Sequence, residues 1–373
     1  MDIREVKTRK DREAFLRFPF TLYRRDPLWV PLLIRDMRQI LWGKASFLFQ
    51  SGPHTFYLAL AGKEVVGRIA VGVDAKRNKL RGKREGYITL FECIDDDAVA
   101  HALFAQAEEW LKTQGMEAAI GPVSPTNGDD FRGLLVENFL DPPLILTSYN
   151  PPYYKRLFAN SGFVEYHTFL AFRYDLTAMS FDASLQAIEY AKEKYGFDVR
   201  PMSHSLKEEE LEAIQCILES ALLSLEYDYV TPPTFDEILK AARTLRRFVP
   251  PGFAQIAWAK EGPVGFAAAM PDYNEILKRM GGKIFPTGWV ALLRYRKRIT
   301  RGRAFLLFVT PAYQGKGVAR ALLLELFKEG RKRGYTFAEG SLINAANTKM
   351  CREAEALGGI PYKRFALFWK KIQ

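Results

Sequence analysis

The clearest chemical signal in the chain is the run Phe305-Leu306-Leu307-Phe308-Val309-Thr310-Pro311-Ala312-Tyr313-Gln314-Gly315-Lys316-Gly317-Val318-Ala319. Its apolar start fits a buried strand, Pro311 opens a turn, and a glycine-rich loop then flows straight into a helix. Successive N–H groups at a helix start point into one space without intrahelical acceptors, and the helix dipole makes that space favour anions. Gly315 and Gly317 let a phosphate approach the backbone with no Cβ in the way, and Lys316 adds a cation. The loop therefore reads as a cradle for a pyrophosphate. Two rival phosphate loops fail on context. A Walker loop needs Lys-Ser/Thr after its last glycine, where this chain has Val318-Ala319-Arg320. A dinucleotide fingerprint needs a third glycine and an acid about twenty residues on, at the end of a second strand.

The elements around the loop must hold it in place. Residues 318–333 have apolar positions at helical spacing (Ala321, Leu322, Leu324, Phe327) and stop at Gly334. Residues 338–343 read as a parallel strand, Asn347 opens another helix that closes at Gly358, and residues 361–371 read as a final strand. With Gln314-Gly315-Lys316-Gly317-Val318-Ala319 fitting the Q/R-x-x-G-x-G/A pattern, this arrangement resembles the GNAT superfamily of acyl-CoA-dependent N-acyltransferases, from about Phe253 to the C-terminus. The resemblance implies acetyl-CoA or another acyl-CoA as co-substrate and an amine as acceptor. It implies a strand that splays from its neighbour, with backbone from Leu307 to Val309 holding the pantetheine arm. It also implies pyrophosphate on the Gln314 to Ala319 amides and Asn347 contacting the cofactor from the far side. Position alone justifies Asn347 as a simple N-cap, and the two readings are compatible.

Departures from the family leave the proton chemistry open. Many members carry a tyrosine seven residues after the asparagine, where this chain has Ala354, and a glutamate on the strand before the loop, where residues 303–309 contain no acid. Glu339 is the remaining candidate base, because a carboxylate among apolar strand residues can be held protonatable near neutrality. The competing reading is a salt bridge to one of the nearby arginines. Cys351 is a lone cysteine on a helix, the usual mark of a core residue. Direct transfer to the amine, without a covalent enzyme intermediate, suffices chemically because a thioester is already activated and positioning supplies much of the rate.

An internal repeat organises the rest. Gly67 and Gly265 lie 198 positions apart, each inside a predicted hairpin, and Gly162, Tyr166, Phe169 and Phe172 recur as Gly358, Tyr362, Phe365 and Phe368, displaced by 196. Each half carries a long helix (98–114 and 318–333) followed by a short strand. The expected fold is α/β with a mixed α+β sheet, as two tandem GNAT-like domains over 1–178 and 179–373. The first is degenerate: Asp95-Asp96-Asp97 stands where the second has its glycine loop and would repel a pyrophosphate. That first half also carries Asp26-Pro27-Leu28-Trp29 and Tyr149-Asn150-Pro151-Pro152-Tyr153-Tyr154, rigid segments that suit either a ligand wall or simple packing.

Composition bounds the function. The chain has 373 residues, 48% of them hydrophobic and 26% charged, the profile of a globular protein. No apolar run reaches membrane-spanning length, and the start Met1-Asp2-Ile3-Arg4-Glu5 has no leader pattern. The three cysteines and four histidines are scattered, with neither disulfide nor metal spacing, so a reduced, metal-free cytoplasmic protein is expected. The net charge of +11 is densest from Arg294 to Arg303, read as a helix over 289–303. Its three readings, in order, are a solvated face, a site for the CoA 3′-phosphate or an acidic substrate, and contact with an anionic membrane surface. Nucleic acid is disfavoured because no binding module accompanies the charge. The acceptor is expected to be a small-molecule or peptide amine. The rival to an N-acetyltransferase is a non-catalytic scaffold that keeps the fold and holds CoA as a ligand.

Overall fold

The computed structural model describes every residue except Lys44, Asp129, 225–227, 284–287 and Gln373, and the side chains of Ala183, Ser224, Trp289, Ala291 and Leu292 stand outside that description. The strands in chain order are β1 (Asp2–Glu5), β2 (His54–Ala61), β3 (Glu64–Val73), β4 (Glu85–Cys93), β5 (Ala118–Gly121), β6 (Leu134–Glu137), β7 (Val164–Asp175), β8 (Phe197–Pro201), β9 (Ala254–Ala259), β10 (Gly262–Pro271), β11 (Arg301–Val309), β12 (Phe337–Asn344) and β13 (Ile360–Lys371). The chain forms two compact units. Unit 1 comprises Met1–Thr168, Asn274–Tyr295 and Arg364–Gln373, and unit 2 comprises Phe169–Tyr273 and Arg296–Lys363.

Both units follow one plan. In unit 1 the order is β1-β2-β3-β4-β5-β13, with β6 also on β13, and β4 runs parallel to β5. In unit 2 it is β7-β12-β11-β10-β9-β8, with β11 parallel to β12. The neighbouring strands within each unit pair antiparallel otherwise. Parallel neighbours need a crossover, and each unit supplies it with its long helix, Asp97–Thr113 and Val318–Lys332. The first buries Leu103, Phe104, Ala107 and Leu111 over Ile69, Val71 and Ile88. The second buries Leu322, Leu324, Leu326 and Phe327 over Ala267, Ala269 and Tyr174. At roughly 1.5–3 kcal/mol for each large apolar side chain removed from water, these stripes fix the helices against the sheets. β10 is buried on nearly its whole length because the Glu208–Ser224 helix covers it as well.

The units are not consecutive halves divided at 178/179. The matched segments around Gly162 and Gly358 become β7 and β13, and each lies mainly in the unit built by the other half: β7 from Phe169 pairs with β12, while β13 from Arg364 pairs with β5 and β6. The insertion Asn274–Tyr295 likewise belongs to unit 1. A sequence repeat reveals the plan of each copy but not which copy receives its last strand, since both edges accept the same apolar alternation.

The helix expected over 289–303 forms only in part. It runs Gly288–Tyr295, passes through a short 3-10 turn at Arg296–Arg298, and gives way to β11 at Arg301. The β-branched pair Ile299-Thr300 followed by Gly302 disfavours helix, and pairing of Arg301 to Ala304 with β12 stabilises the strand instead. The expected end of another helix at Leu225 lies outside the described residues.

Candidate functional site

The glycine loop expected to hold a pyrophosphate lies between a short turn and a long helix. Pro311–Tyr313 forms a 3-10 turn, and the helix Val318–Lys332 starts with Gly317 as its N-cap. Gly315 and Gly317 adopt φ of 75° and 82°, the left-handed region that side chains disfavour. A Cβ on Gly317 would meet the Ala191 Cβ at 3.1 Å, whereas one on Gly315 would meet nothing within 4 Å, so the loop is open on the Gly315 side. Among the described residues, no hydrogen bond engages the N–H groups of Gly315, Gly317, Val318, Ala319 or Arg320; the first helical bond runs from Ala321 to Gly317. No acidic side chain sits in that first turn. Lys316 holds its ammonium 4.5 Å from the Tyr313 ring and 5.5 Å from the Tyr195 ring, next to the same space. The Gln314 side chain donates to the Val309 carbonyl at 3.3 Å and ties the loop back to the strand. Val318 itself is buried, so it offers its amide and not its side chain.

Beside the cradle the sheet opens. β11 pairs with β12 from Arg301↔Phe337 to Ala304↔Gly340 and no further, although β11 continues to Val309 and β12 to Asn344. The cause is local. Opposite β10 the register shifts between Ala268 and Ala269, leaving Phe305 as a bulged residue that re-aims the strand. Beyond it, Leu306, Leu307 and Phe308 become half-buried while Arg303, Ala304 and Phe305 are buried. Leu307 and Val309 thus lie on the stretch of β11 that leaves β12.

Glu339, the candidate base, sits close to where the strands part. Glu339 is fully buried. Its Oε1 accepts from the Ser341 hydroxyl at 2.5 Å and lies 3.8 Å from the Arg303 Nε, while its Oε2 accepts from the Tyr362 hydroxyl. Arg303, itself 1% exposed, donates to the Ser341 hydroxyl at 2.8 Å and the Ser341 carbonyl at 3.1 Å. The salt-bridge reading of Glu339 is therefore present in the geometry, and the carboxylate meets the outside through Tyr362, which is half-buried. In the sequence Tyr362, like Tyr313, stands near the position of the missing family tyrosine, with nothing to show that it reaches the sulfur, and its match to Tyr166 in the repeat was the other signal. Asn347 caps the Thr348–Ala356 helix, accepting from the Met350 N–H at 3.0 Å. Cys351 is half-buried and its thiol is pushed up by burial, which leaves it a poor nucleophile. Ala354 is fully buried.

Unit 1 shows the same plan with its ligand positions filled by the chain itself. Asp96 caps the Asp97–Thr113 helix, accepting from the Ala98 and Val99 N–H groups. Asp95 and Asp97 are engaged by Arg156. On β4, the Cys93 N–H donates to the Tyr154 hydroxyl and the Cys93 carbonyl accepts from Tyr153, both at 2.8 Å. The paired tyrosines thus occupy the backbone edge that corresponds to the open one in unit 2. Behind them lies a polar cluster missed in the sequence. Glu92 accepts from the Tyr23 and Tyr154 hydroxyls at 2.6 and 2.7 Å, with Arg68 at 3.7 Å, and burial raises its carboxyl above the usual range despite Arg68. Trp29 stacks on Tyr23, and Tyr149 donates to Asp26 at 2.6 Å, so the two proline-flanked segments meet here.

Among the described residues, no group of His, Cys, Asp or Glu could hold a metal ion, and no helix is long and apolar enough to cross a membrane. Residues 218–358 match the model of the acetyltransferase (GNAT) family. Protein YghO of Escherichia coli (strain K12) is 29% identical over 99% of this chain and 95% of its own length. The bacterial ceramide synthase of Caulobacter vibrioides (strain NA1000 / CB15N) is 27% identical over 98% and 96%. Among solved structures, a tandem GNAT protein from the clavulanic acid biosynthesis pathway aligns over 100% of this chain and 98% of its own with a TM-score of 0.60 at 12% identity. A GCN5-related N-acetyltransferase from Sphaerobacter thermophilus aligns over 100% and 96%, with a TM-score of 0.55 at 14% identity.

Proposed function

Starting from a chain whose residues 218–358 match the GNAT family model and whose fold is that of tandem GNAT proteins, we propose that it acylates the nitrogen of an amine using acyl-CoA held by unit 2. The observation that carries this reading is the set of unengaged N–H groups, on Gly315 and from Gly317 to Arg320, beside a splayed strand. A pyrophosphate fits such a set, since each of these amides has a free donor and Gly315 leaves the approach clear. The residues proposed to hold the cofactor are Gln314, Gly315, Lys316, Gly317, Val318 and Ala319 at the pyrophosphate, with Leu307 and Val309 along the arm and the Asn347 amide at the far side. When bound, acyl-CoA supplies an activated thioester.

The chain's own task is to take a proton from the incoming amine. The Tyr362 hydroxyl donates to the buried Glu339 Oε2, and a phenolic oxygen is of a kind that can accept from an N–H as well as donate. The amine proton passes to the Tyr362 oxygen as the phenolic proton passes to the Glu339 Oε2, so Tyr362 touches the substrate and Glu339 acts through it. Arg303 and Ser341 hold Glu339 in place. No covalent enzyme intermediate is needed, in keeping with a burial-raised Cys351 thiol.

A ceramide is an N-acylated long-chain amino alcohol, and the relative of that name matches this chain from end to end. Long-chain amino alcohols with fatty acyl-CoA are therefore the first pair to test, ahead of acetyl-CoA with small or peptide amines. A scaffold that only holds CoA is the second reading, favoured by Ala354 in place of the family tyrosine and by the acid-free β11. Calorimetry with CoA and long-chain acyl-CoA, on the wild type and Gly317→Asp, tests the cofactor site. Binding lost in the variant supports it, and no binding by the wild type defeats it. Acylation of the amino alcohol then separates enzyme from scaffold.

A further inference from the structure

The sheet of unit 2 ends on a strand with one side unpaired. β8 closes the order β7-β12-β11-β10-β9-β8 and, among the described residues, pairs with β9 alone. The ladder fixes which of its backbone groups face outward. Just past β8 the Met202 N–H donates to the Ala254 carbonyl at 2.9 Å, and the same register runs through Arg200↔Ile256 and Asp198↔Trp258. Hydrogen-bonded pairs alternate along an antiparallel ladder, so Asp198 and Arg200 bond to β9 while Phe197, Val199 and Pro201 turn their backbone groups away from it. Among the described residues, no hydrogen bond engages the outward N–H groups of Phe197 and Val199. The side chains alternate too. Phe197 and Val199 pack into the apolar core of unit 2, whereas Asp198 and Arg200 share the other face, 55% and 68% exposed, and pair at 3.3 Å. A cleft of about 710 Å³ lies against the strand, lined by Phe197, Asp198, Arg200 and Pro201 together with Ile256 and Trp258 of β9, so the edge is reachable from outside.

We propose that β8 is a self-association edge: a second copy of this chain adds its own β8 antiparallel, about a two-fold axis at Val199. In that register the Val199 N–H donates to the partner's Val199 carbonyl, and each Phe197 N–H donates to the carbonyl of the partner's Pro201. Asp198 then stands opposite the partner's Arg200, at the closer spacing of a non-hydrogen-bonded pair, and the axis repeats the contact with the charges exchanged. The order of charges selects the occupant. Edges are commonly kept alone by charges of one sign, lysines above all, which repel a second copy. Opposite charges two residues apart make this strand complementary to itself under two-fold rotation, and such a pairing closes as a dimer because it uses both edges. Pro201 has no N–H to offer, so the ladder stops there. This inference stands apart from the acyl-transfer reading, which neither needs nor excludes a dimer.

The test is sedimentation velocity of the full chain at rising concentration, with hydrogen exchange followed at Val199. The wild type should pass from monomer to dimer, and exchange of the Val199 N–H should slow as it does. D198R sets two arginine pairs across the axis and R200D two aspartate pairs, so each should weaken the dimer about ten-fold or more. Mixing D198R with R200D restores both opposite-charge pairs in a mixed dimer, and the double variant D198R/R200D restores them with its own copy. Both should recover wild-type association within about three-fold. V199P removes an N–H that β9 does not use, so the fold should survive, which circular dichroism checks; losing the two central hydrogen bonds should weaken the dimer about twenty-fold. A wild type that stays monomeric throughout would overturn the proposal, as would a dimer indifferent to D198R, R200D and V199P. Failure of D198R and R200D to pair when mixed, or dimerisation that leaves exchange at Val199 unchanged, would overturn it as well. Uptake of a synthetic peptide of residues 196–202 by a chain that remains monomeric would replace it with a peptide-binding edge.

Discussion

Gly315 allows the charge of the cradle to be tested apart from its shape. It sits at φ 75°, and a Cβ added there would have nothing within 4 Å, so a side chain meets strain but no clash. Asn and Asp have the same shape and both tolerate the left-handed region better than other side chains, at a cost of about 1 kcal/mol. Gly315→Asn therefore measures strain and obstruction, and Gly315→Asp adds one negative charge. For a carboxylate about 6 Å from a phosphate at an effective dielectric constant near 20, Coulomb's law gives about 2.8 kcal/mol for each pair of unit charges. That corresponds to roughly a hundred-fold loss of affinity for one phosphate charge. Calorimetric titration of CoA into both variants should thus show Gly315→Asp about a hundred-fold weaker than Gly315→Asn at low salt, with the gap narrowing as salt screens it. Melting temperatures of the two variants should agree closely. Equal CoA affinity for Gly315→Asn and Gly315→Asp, within about three-fold, would refute the electrostatic cradle, because a bound pyrophosphate could not ignore that charge.

Three further outcomes follow from the same geometry. Tyr362→Phe removes the hydroxyl on Glu339 while keeping the ring, so kcat should fall about 10²- to 10⁴-fold with CoA affinity unchanged; a normal kcat would remove Tyr362 from the proton path. Cys351→Ala should keep acyl transfer within about two-fold, since a burial-raised thiol is no nucleophile; loss of an acylated enzyme species would contradict this. Glu92 has a folded-state pKa raised above its usual 4.5, so the folded state binds more protons than the unfolded state. Its contribution to stability is then fully present below 4.5 and is lost as pH rises through the raised value. Chemical denaturation across that window should show the wild type losing stability relative to Glu92→Gln, and parallel pH curves would disprove the assignment.

How much of this was legible follows from which interactions are local. The loop, the helix it opens and the strand before it are written in consecutive residues, because turn, glycine and helix-start chemistry act within a few positions. The repeat at 196 residues likewise exposed the common plan. The exchange of β7 and β13 was hidden, since strand pairing is decided by edges distant in sequence. The Tyr362–Glu339 contact spans 23 residues, and Tyr23–Glu92 spans 69. Neither has a spacing rule. The helix expected over 289–303 failed for a related reason: the charge pattern was real, but partners on β10 and β12 drew Gly302 to Ala304 into a sheet.

The two units act as each other's control. Both place a long helix immediately after a strand that parts from its parallel neighbour, so both begin with the same orphan amides and the same open backbone edge. In unit 1 the Asp96 carboxylate takes the helix-start N–H groups and the Tyr153 and Tyr154 hydroxyls take both backbone groups of Cys93. In unit 2 the cap is Gly317, which has no side chain to offer. Gly315 is exposed and Gly317, Ala319 and Arg320 are half-buried, so these amides can take an acceptor from outside the chain. One copy supplies the acceptors from its own sequence and gains stability. The other leaves them without an acceptor of its own, and that is the physical ground on which a binding site is proposed there.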